Sequence, residues 1–228
     1  MHPTMNTGRL AGAILLSCIA VNTFAADLTV KMADAEPPTE IAKELRDTLS
    51  NKALQLAGPD GTIAEFWFRK ELVLSKKPAT SEEALEAMPE VSFVGAAKYS
   101  KERNDFRDDA IDPGVYTMRA ALQLNDGNHL GTAPTSWFIL LVPPKYDTAL
   151  NGIDSAKKLH DRSRSESSAN HPWCINLQPA PDATGDFPKT GEVDEWKLIY
   201  LKLPATVEGT GEKVEVTFGL VYEGHGEV

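Results

Sequence analysis

From Val115 to Gln123 the chain repeats every two residues. Tyr116, Met118, Ala120 and Leu122 fall on one side of an extended backbone; Thr117, Arg119 and Gln123 fall on the other. Successive side chains of a strand point to opposite faces, so this pattern predicts a half-buried antiparallel strand launched by the Asp112-Pro113-Gly114 turn. The next apolar run, Trp137 to Val142, has no polar position and stops at Pro143-Pro144. Such a run fits a central strand buried on both faces. Near the C-terminus Val214, Val216, Phe218, Leu220 and Tyr222 alternate with Glu215, Thr217 and Gly219. With Trp196 to Leu203 and the Gly209-Thr210-Gly211 turn they predict a terminal hairpin.

The same reasoning applies upstream. Gly58-Pro59-Asp60-Gly61 is a turn between Leu54–Ala57 and Thr62–Arg69. In the second of these segments Ala64, Phe66 and Phe68 share one face, and Glu65, Trp67 and Arg69 the other. Residues 91–99 and 173–177 read as further strands. Helical spacing is brief. Ile41, Ala42, Leu45, Thr48 and Leu49 form an apolar stripe over residues 39–49, which should lie against a sheet. Thr80 and Glu83 have capping-box spacing ahead of Ala84, Leu85 and Ala87, predicting about two turns of helix before Pro89. Residues 154–167 admit either a short helix or a loop, since Ala156 and Leu159 are a thin stripe. Residues 27–38 read as a lead and residues 179–191 as a loop. About eight short strands, no alternation of strands with long helices, and Gly/Pro turns predict a mainly β fold, an antiparallel β-sandwich with two or three short helical inserts.

The first 26 residues follow another logic. Arg9 precedes an apolar run from Leu10 to Val21, and small residues follow at Ala25 and Ala26. That is the pattern of a secretory signal peptide, cleaved near Ala25 or Ala26. The run is too short for a membrane span. The mature chain, 27–228, is then a single β-sandwich domain, periplasmic or secreted, with no transmembrane span. Leu15-Leu16-Ser17-Cys18 also has the form of a lipobox, which would place a lipid anchor at Cys18, although Ile19, Ala20 and Val21 continue the apolar run. Cleavage at Ala25 or Ala26 leaves Cys174 as the one thiol, so no disulfide can form within the mature chain. A lone cysteine in an oxidising compartment is usually buried and inert.

Charge narrows the partners. Of 228 residues, 33 are Asp or Glu and 23 are Lys or Arg, giving a net charge of -10. Without clustered Lys and Arg to neutralise phosphates, nucleic acid is not an expected partner.

The segments Asp112-Pro113-Gly114-Val115-Tyr116-Thr117, residues 126–134 (Asp126-Gly127-Asn128-His129 through Pro134), Trp137 to Pro143 and Asn170-His171-Pro172 together resemble a group of uncharacterised secreted bacterial β-proteins. The likeness spans residues 60–180. It implies export and a β fold, and no activity.

Signatures of common enzymes are missing from the sequence: there is no nucleophile elbow, zinc-binding helix, Walker loop or dinucleotide fingerprint. The most informative set is His129, His171 and Cys174. Imidazole and thiolate suit zinc or copper, and Asp126 could orient His129. Against this, residues 171 and 174 of an extended chain point to opposite faces unless Pro172 bends the backbone. A His in such a loop also serves as a plain structural residue. The third reading makes the loops 125–134 and 168–174 a binding surface through Asp126, Asn128, His129, Asn170 and His171. His160 reads as solvated. Loop carboxylates (Asp105, Asp108, Asp109, Asp112, Asp182, Asp186, Glu192, Asp194 and Glu195) would serve a hydrolase or bind calcium, but also suit a solvated acidic surface. Trp67, flanked by Glu65 and Arg69, is the best placed of the four tryptophans to stack on a sugar, though core positions are the commoner use. The expectation is a secreted or periplasmic, non-enzymatic binding module with no cofactor. A zinc or copper protein is the alternative, and a hydrolase the third reading.

Overall fold

The computed structural model of the chain describes residues 28–106, 108–124, 133, 135–167, 171–180, 184–194 and 196–224. The signal-peptide and Cys18 readings fall outside them. The strands run β1 (Thr29–Asp34), β2 (Leu49–Gly58), β3 (Gly61–Arg69), β4 (Leu72–Leu74), β5 (Phe93–Tyr99), β6 (Arg103–Asn104), β7 (Ala110–Ile111), β8 (Gly114–Leu122), β9 (Trp137–Val142), β10 (Cys174–Pro179), β11 (Lys189–Val193), β12 (Trp196–Val207) and β13 (Lys213–Glu223). Three short α-helices interrupt them among the described residues: α1 (Lys43–Arg46), α2 (Ser81–Glu86) and α3 (Ala156–Ser163). None is long and apolar enough to cross a membrane.

The mainly β expectation holds, and the layers of the sandwich belong to one curled sheet. Its order is β1-β2-β3-β5-β8-β9-β10-β13-β12-β11, antiparallel throughout, with β4 added in parallel to β12. Two places make the sheet turn over. Cys174, Ile175 and Asn176 of β10 pair with β9, while Leu177, Gln178 and Pro179 pair with β13. At the other corner only Lys70 and Glu71 separate β3 from β4, so the chain steps from one layer to the other there. The inner faces then meet. Phe66, Phe68, Met118, Ile139 and Leu141 from one layer form a single cluster with Ile199, Leu201, Phe218 and Leu220 from the other. Helix α2 adds Ala84 and Leu85 to it. It begins as predicted: the Thr80 hydroxyl accepts from Glu83 N at 3.1 Å, and Glu83 Oε2 accepts from Ala79 N at 2.7 Å.

The Gly58–Gly61 hairpin forms as the sequence predicts. Gly61 sits at φ +109°, a backbone open to glycine and to few other residues. Gly95 is needed for a different reason, since a Cβ there would come within 2.2 Å of the Trp67 carbonyl.

Three expectations change. The stretch 39–49 yields only one turn of helix. Ile41, Leu45 and Leu49 are all buried against Ala53, Trp67 and Phe93, as the stripe required, but Leu49 already pairs with Arg69 in the sheet. Lys70 N donates to Thr48 O at 2.9 Å, so the sheet takes those residues before the helix can extend. Residues 29–34, read as part of a lead, form an edge strand in which Leu28, Val30 and Met32 alternate with Thr29 and Lys31, too short a run to stand out in the sequence. Residues 189–193, whose first part, to 191, is read as loop, form the strand at the other edge, mostly exposed and without an apolar period. Finally, β8 is buried on both faces, because residues 147–150 cover Thr117 and Arg119.

Candidate functional site

The outer side of β8, β9 and β10 carries Ala121, Phe138, Leu140 and Cys174. These are the alternate positions to the residues that fill the sandwich interior. An apolar outer face needs cover, and α3 supplies part of it. Ser155 caps the helix by accepting from Lys158 N. Leu159 and Ser163, four apart, face the sheet and are fully buried. The Ser163 hydroxyl donates to Leu141 O at 2.6 Å, pinning the helix to β9. Arg162 Nη1 donates to Tyr146 O at 2.5 Å and to Gly152 O at 3.2 Å, fixing the chain that leads into the helix.

The helix covers only part of this face. Beside it lies a hollow of about 460 Å³, inside the usual range for small-molecule sites. Phe106, Ala121, Phe138, Leu140 and Cys174 form its floor. The Phe106 ring stands 5.6 Å from Phe138 and 5.9 Å from Trp196, tilted against both. Leu122 and Leu124, 45% and 40% exposed, stand at its lip as β8 ends. The polar side chains belong to the rim. Lys157, His160, Asp161 and Arg164 follow i, i+3, i+4, i+7 spacing and so share one face of the α3 segment. Asp161 Oδ2 takes Lys157 Nζ at 2.5 Å and its Oδ1 takes Arg164 Nη2 at 2.6 Å. Lys157 first, and Arg164 after it, hold the Asp161 carboxyl below the usual carboxylate range.

Of the residues singled out from sequence, His171 and Cys174 both border this hollow, with Pro172 between them. The parity objection does not apply, because β10 begins only at Cys174 and residues 171–173 precede the regular strand. Trp173 turns the other way, into the sandwich interior, and its Nε1 donates to Ala110 O at 2.8 Å. His171 Nδ1 lies 3.0 Å from Pro172 O and 3.9 Å from Asp109 Oδ2. The Cys174 thiol is buried and donates to Asp105 Oδ2 at 3.3 Å. Asp105 Oδ1 in turn accepts from Asp109 N at 3.2 Å, so this carboxylate closes the turn that carries Phe106. Asp126, Asn128, His129 and Asn170 lie outside the described residues, so the three-ligand set His129, His171 and Cys174 is placed in part only. Among the described residues no three His, Cys, Asp or Glu side chains are grouped to hold a metal ion.

One sequence reading shifts: His160, expected in solvent, borders the hollow. Trp67 takes the core position that the sequence favours over sugar stacking, with its Nε1 donating to Ala35 O at 2.9 Å. Elsewhere, Glu40, Asp112 and Glu166 border a second, broader hollow of about 690 Å³, where Glu166 is paired with Lys145.

No family model, curated protein or solved structure matches the chain.

Proposed function

We propose that this protein is an exported binding module, without catalysis of its own, whose ligand site is the hollow beside α3. The observation that carries this is the division of its lining: aromatic and aliphatic side chains below, polar side chains at the rim. Binding sites for small, largely apolar molecules have this character. The exposed Leu122 and Leu124 support it, since an apolar lip next to an apolar floor marks a place of contact. Export is supported by the pattern of residues 1–26, and the intact mass of the protein recovered from cells tests it.

The binding reading is tested with N-phenyl-1-naphthylamine, a neutral probe that fluoresces on leaving water. The expected result is saturable binding of one probe per chain, lost in Ala121→Phe, which fills the floor, and weakened in Leu124→Asp, which leaves the core untouched. Absence of saturable fluorescence, or binding indifferent to both substitutions, overturns the reading.

A second reading, zinc or copper held with His171 and Cys174, is favoured by one observation: both residues border the same hollow. Equilibrium dialysis of untagged protein against zinc should then show uptake that Cys174→Ser removes, and uptake unaffected by that substitution defeats it.

A further inference from the structure

We infer that the hollow takes an amphipathic monoanion, an apolar body ending in one carboxylate-like group, with Arg164 as the donor to that group. This rests on the hollow being the ligand site. The floor is apolar, so a body without polar atoms suits it. The α3 wall fixes the sign of the headgroup. It carries two cations, Lys157 and Arg164, and one carboxylate, Asp161, which touches both. That wall therefore has an excess positive charge, in a chain whose net charge is -10.

The contact with Asp161 uses Arg164 Nη2, while the side chain remains 48% exposed, so its fork can still take a second planar anion. His171, whose Nδ1 lies 3.9 Å from Asp109 Oδ2, also borders the hollow. An ammonium headgroup would meet like charge along α3. An alcohol would forgo the charge-assisted bond.

The experiment compares decanoate, decan-1-ol and decylamine at submicellar concentration, each displacing N-phenyl-1-naphthylamine. A flexible alkyl chain is tolerant of cavity shape, so the three differ in headgroup alone. Decanoate should displace the probe at about one tenth the concentration needed for the alcohol, the factor expected of one hydrogen bond to a charged group, and decylamine should be the weakest. Arg164→Gln should bring decanoate down to the level of the alcohol and leave the alcohol unchanged. Asp161→Asn should tighten decanoate binding by removing the competing carboxylate. If the alcohol equals decanoate, or Arg164→Gln affects both alike, the anion inference fails and the apolar site stands. If the probe itself does not bind, or none of the three displaces it, the ligand-site reading fails and takes this inference with it.

Discussion

A guanidinium presents five N–H groups, and the fold gives Arg119 an acceptor for each. Nε and Nη2 donate to the two oxygens of Asp147 at 2.7 Å, Nη2 also reaches Ala149 O at 2.8 Å, and Nη1 reaches Val91 O at 2.7 Å and Leu150 O at 3.0 Å. Asp147 takes a further bond from the Thr117 hydroxyl at 2.7 Å. Both partners are out of water, Arg119 at 1% and Asp147 at 0% exposure. Burying two charges is tolerable only with this degree of satisfaction. The group also holds Val91 in the left-handed region, at φ +62°, a costly place for a β-branched residue. Arg119→Met should therefore destabilise the protein by about 3–5 kcal/mol, because it strands the Asp147 charge. Arg119→Lys should recover little of this, since an ammonium cannot match five acceptors set for a planar fork. Urea unfolding of the three proteins measures both, and a midpoint for Arg119→Met close to the parent's would show that the pair is not the fastening described.

Helix α3 is the element on which the site depends, and its hold on the sheet is narrow. Leu159 fills the outer cluster and Ser163 bonds to Leu141 O. Leu159→Ala should cost about 2–5 kcal/mol as a buried large-to-small change, and Ser163→Ala about 1 kcal/mol. The two substitutions should also weaken probe binding together, because they free the rim from the floor; calorimetric melting set beside probe titration separates the two effects. The exposed pairs along the helix respond to acid. Lys158 lowers Asp154, and Lys157 lowers Asp161, below the ordinary range. A lowered carboxyl contributes above its unfolded-state pKa, and the contribution is lost as the pH falls through the lowered value. The carboxyl resonances of both residues should titrate on the acid side of unpaired Asp, and ordinary titration would show the pairs to be loose. The legibility of these elements follows from their burial. β8 and β13 show the two-residue period and β9 an unbroken apolar run, so burial marks all three in the sequence. β11 lies at an edge and carries no such period, and β1, at the other edge, carries only the short run Leu28, Val30 and Met32. α3 has one apolar stripe residue of any size, yet its polar stripe, Lys157, His160, Asp161 and Arg164, was readable as i, i+3, i+4, i+7 spacing. The hollow itself was not readable, because its floor brings together Ala121, Phe138, Leu140 and Cys174 of three strands with Phe106 of a connecting turn. Arg119 was legible only as polar, since its cover comes from residues 147–150.

At the scale of the whole molecule the two layers share one interior, and its tyrosines report on it. The Tyr99 ring packs edge-on to Phe66 at 5.9 Å and to Tyr116 at 6.2 Å, and Tyr116 packs on Trp173 at 5.0 Å. Trp173 leads into β10, where the sheet turns over, so this row of rings ties the first strands to the fold's hinge line. Burial pushes the Tyr116 phenol up to about 12, with Asp112 adding to the rise. It pushes Tyr99 higher, with Tyr116 adding. Burial alone raises Tyr200. A phenol whose folded pKa lies above its unfolded value contributes stability that is complete below the unfolded pKa, about 10. That contribution is lost as the pH rises through the folded value, because unfolding releases the proton. Stability should thus fall between about pH 10 and 12. With both layers built on one cluster, the part of the phenolate absorbance that Tyr116→Phe removes and the loss of near-ultraviolet circular dichroism should rise along a single curve. Tyr116→Phe removes the bond from the phenol to Asp112 O at 2.8 Å, costing about 1 kcal/mol at neutral pH. It should also make the alkaline transition shallower, since one fewer proton is released. If the part of the phenolate signal that Tyr116→Phe removes formed near pH 10 with the dichroism intact, water would reach this ring in the folded state and the layers would not be sealed along this row.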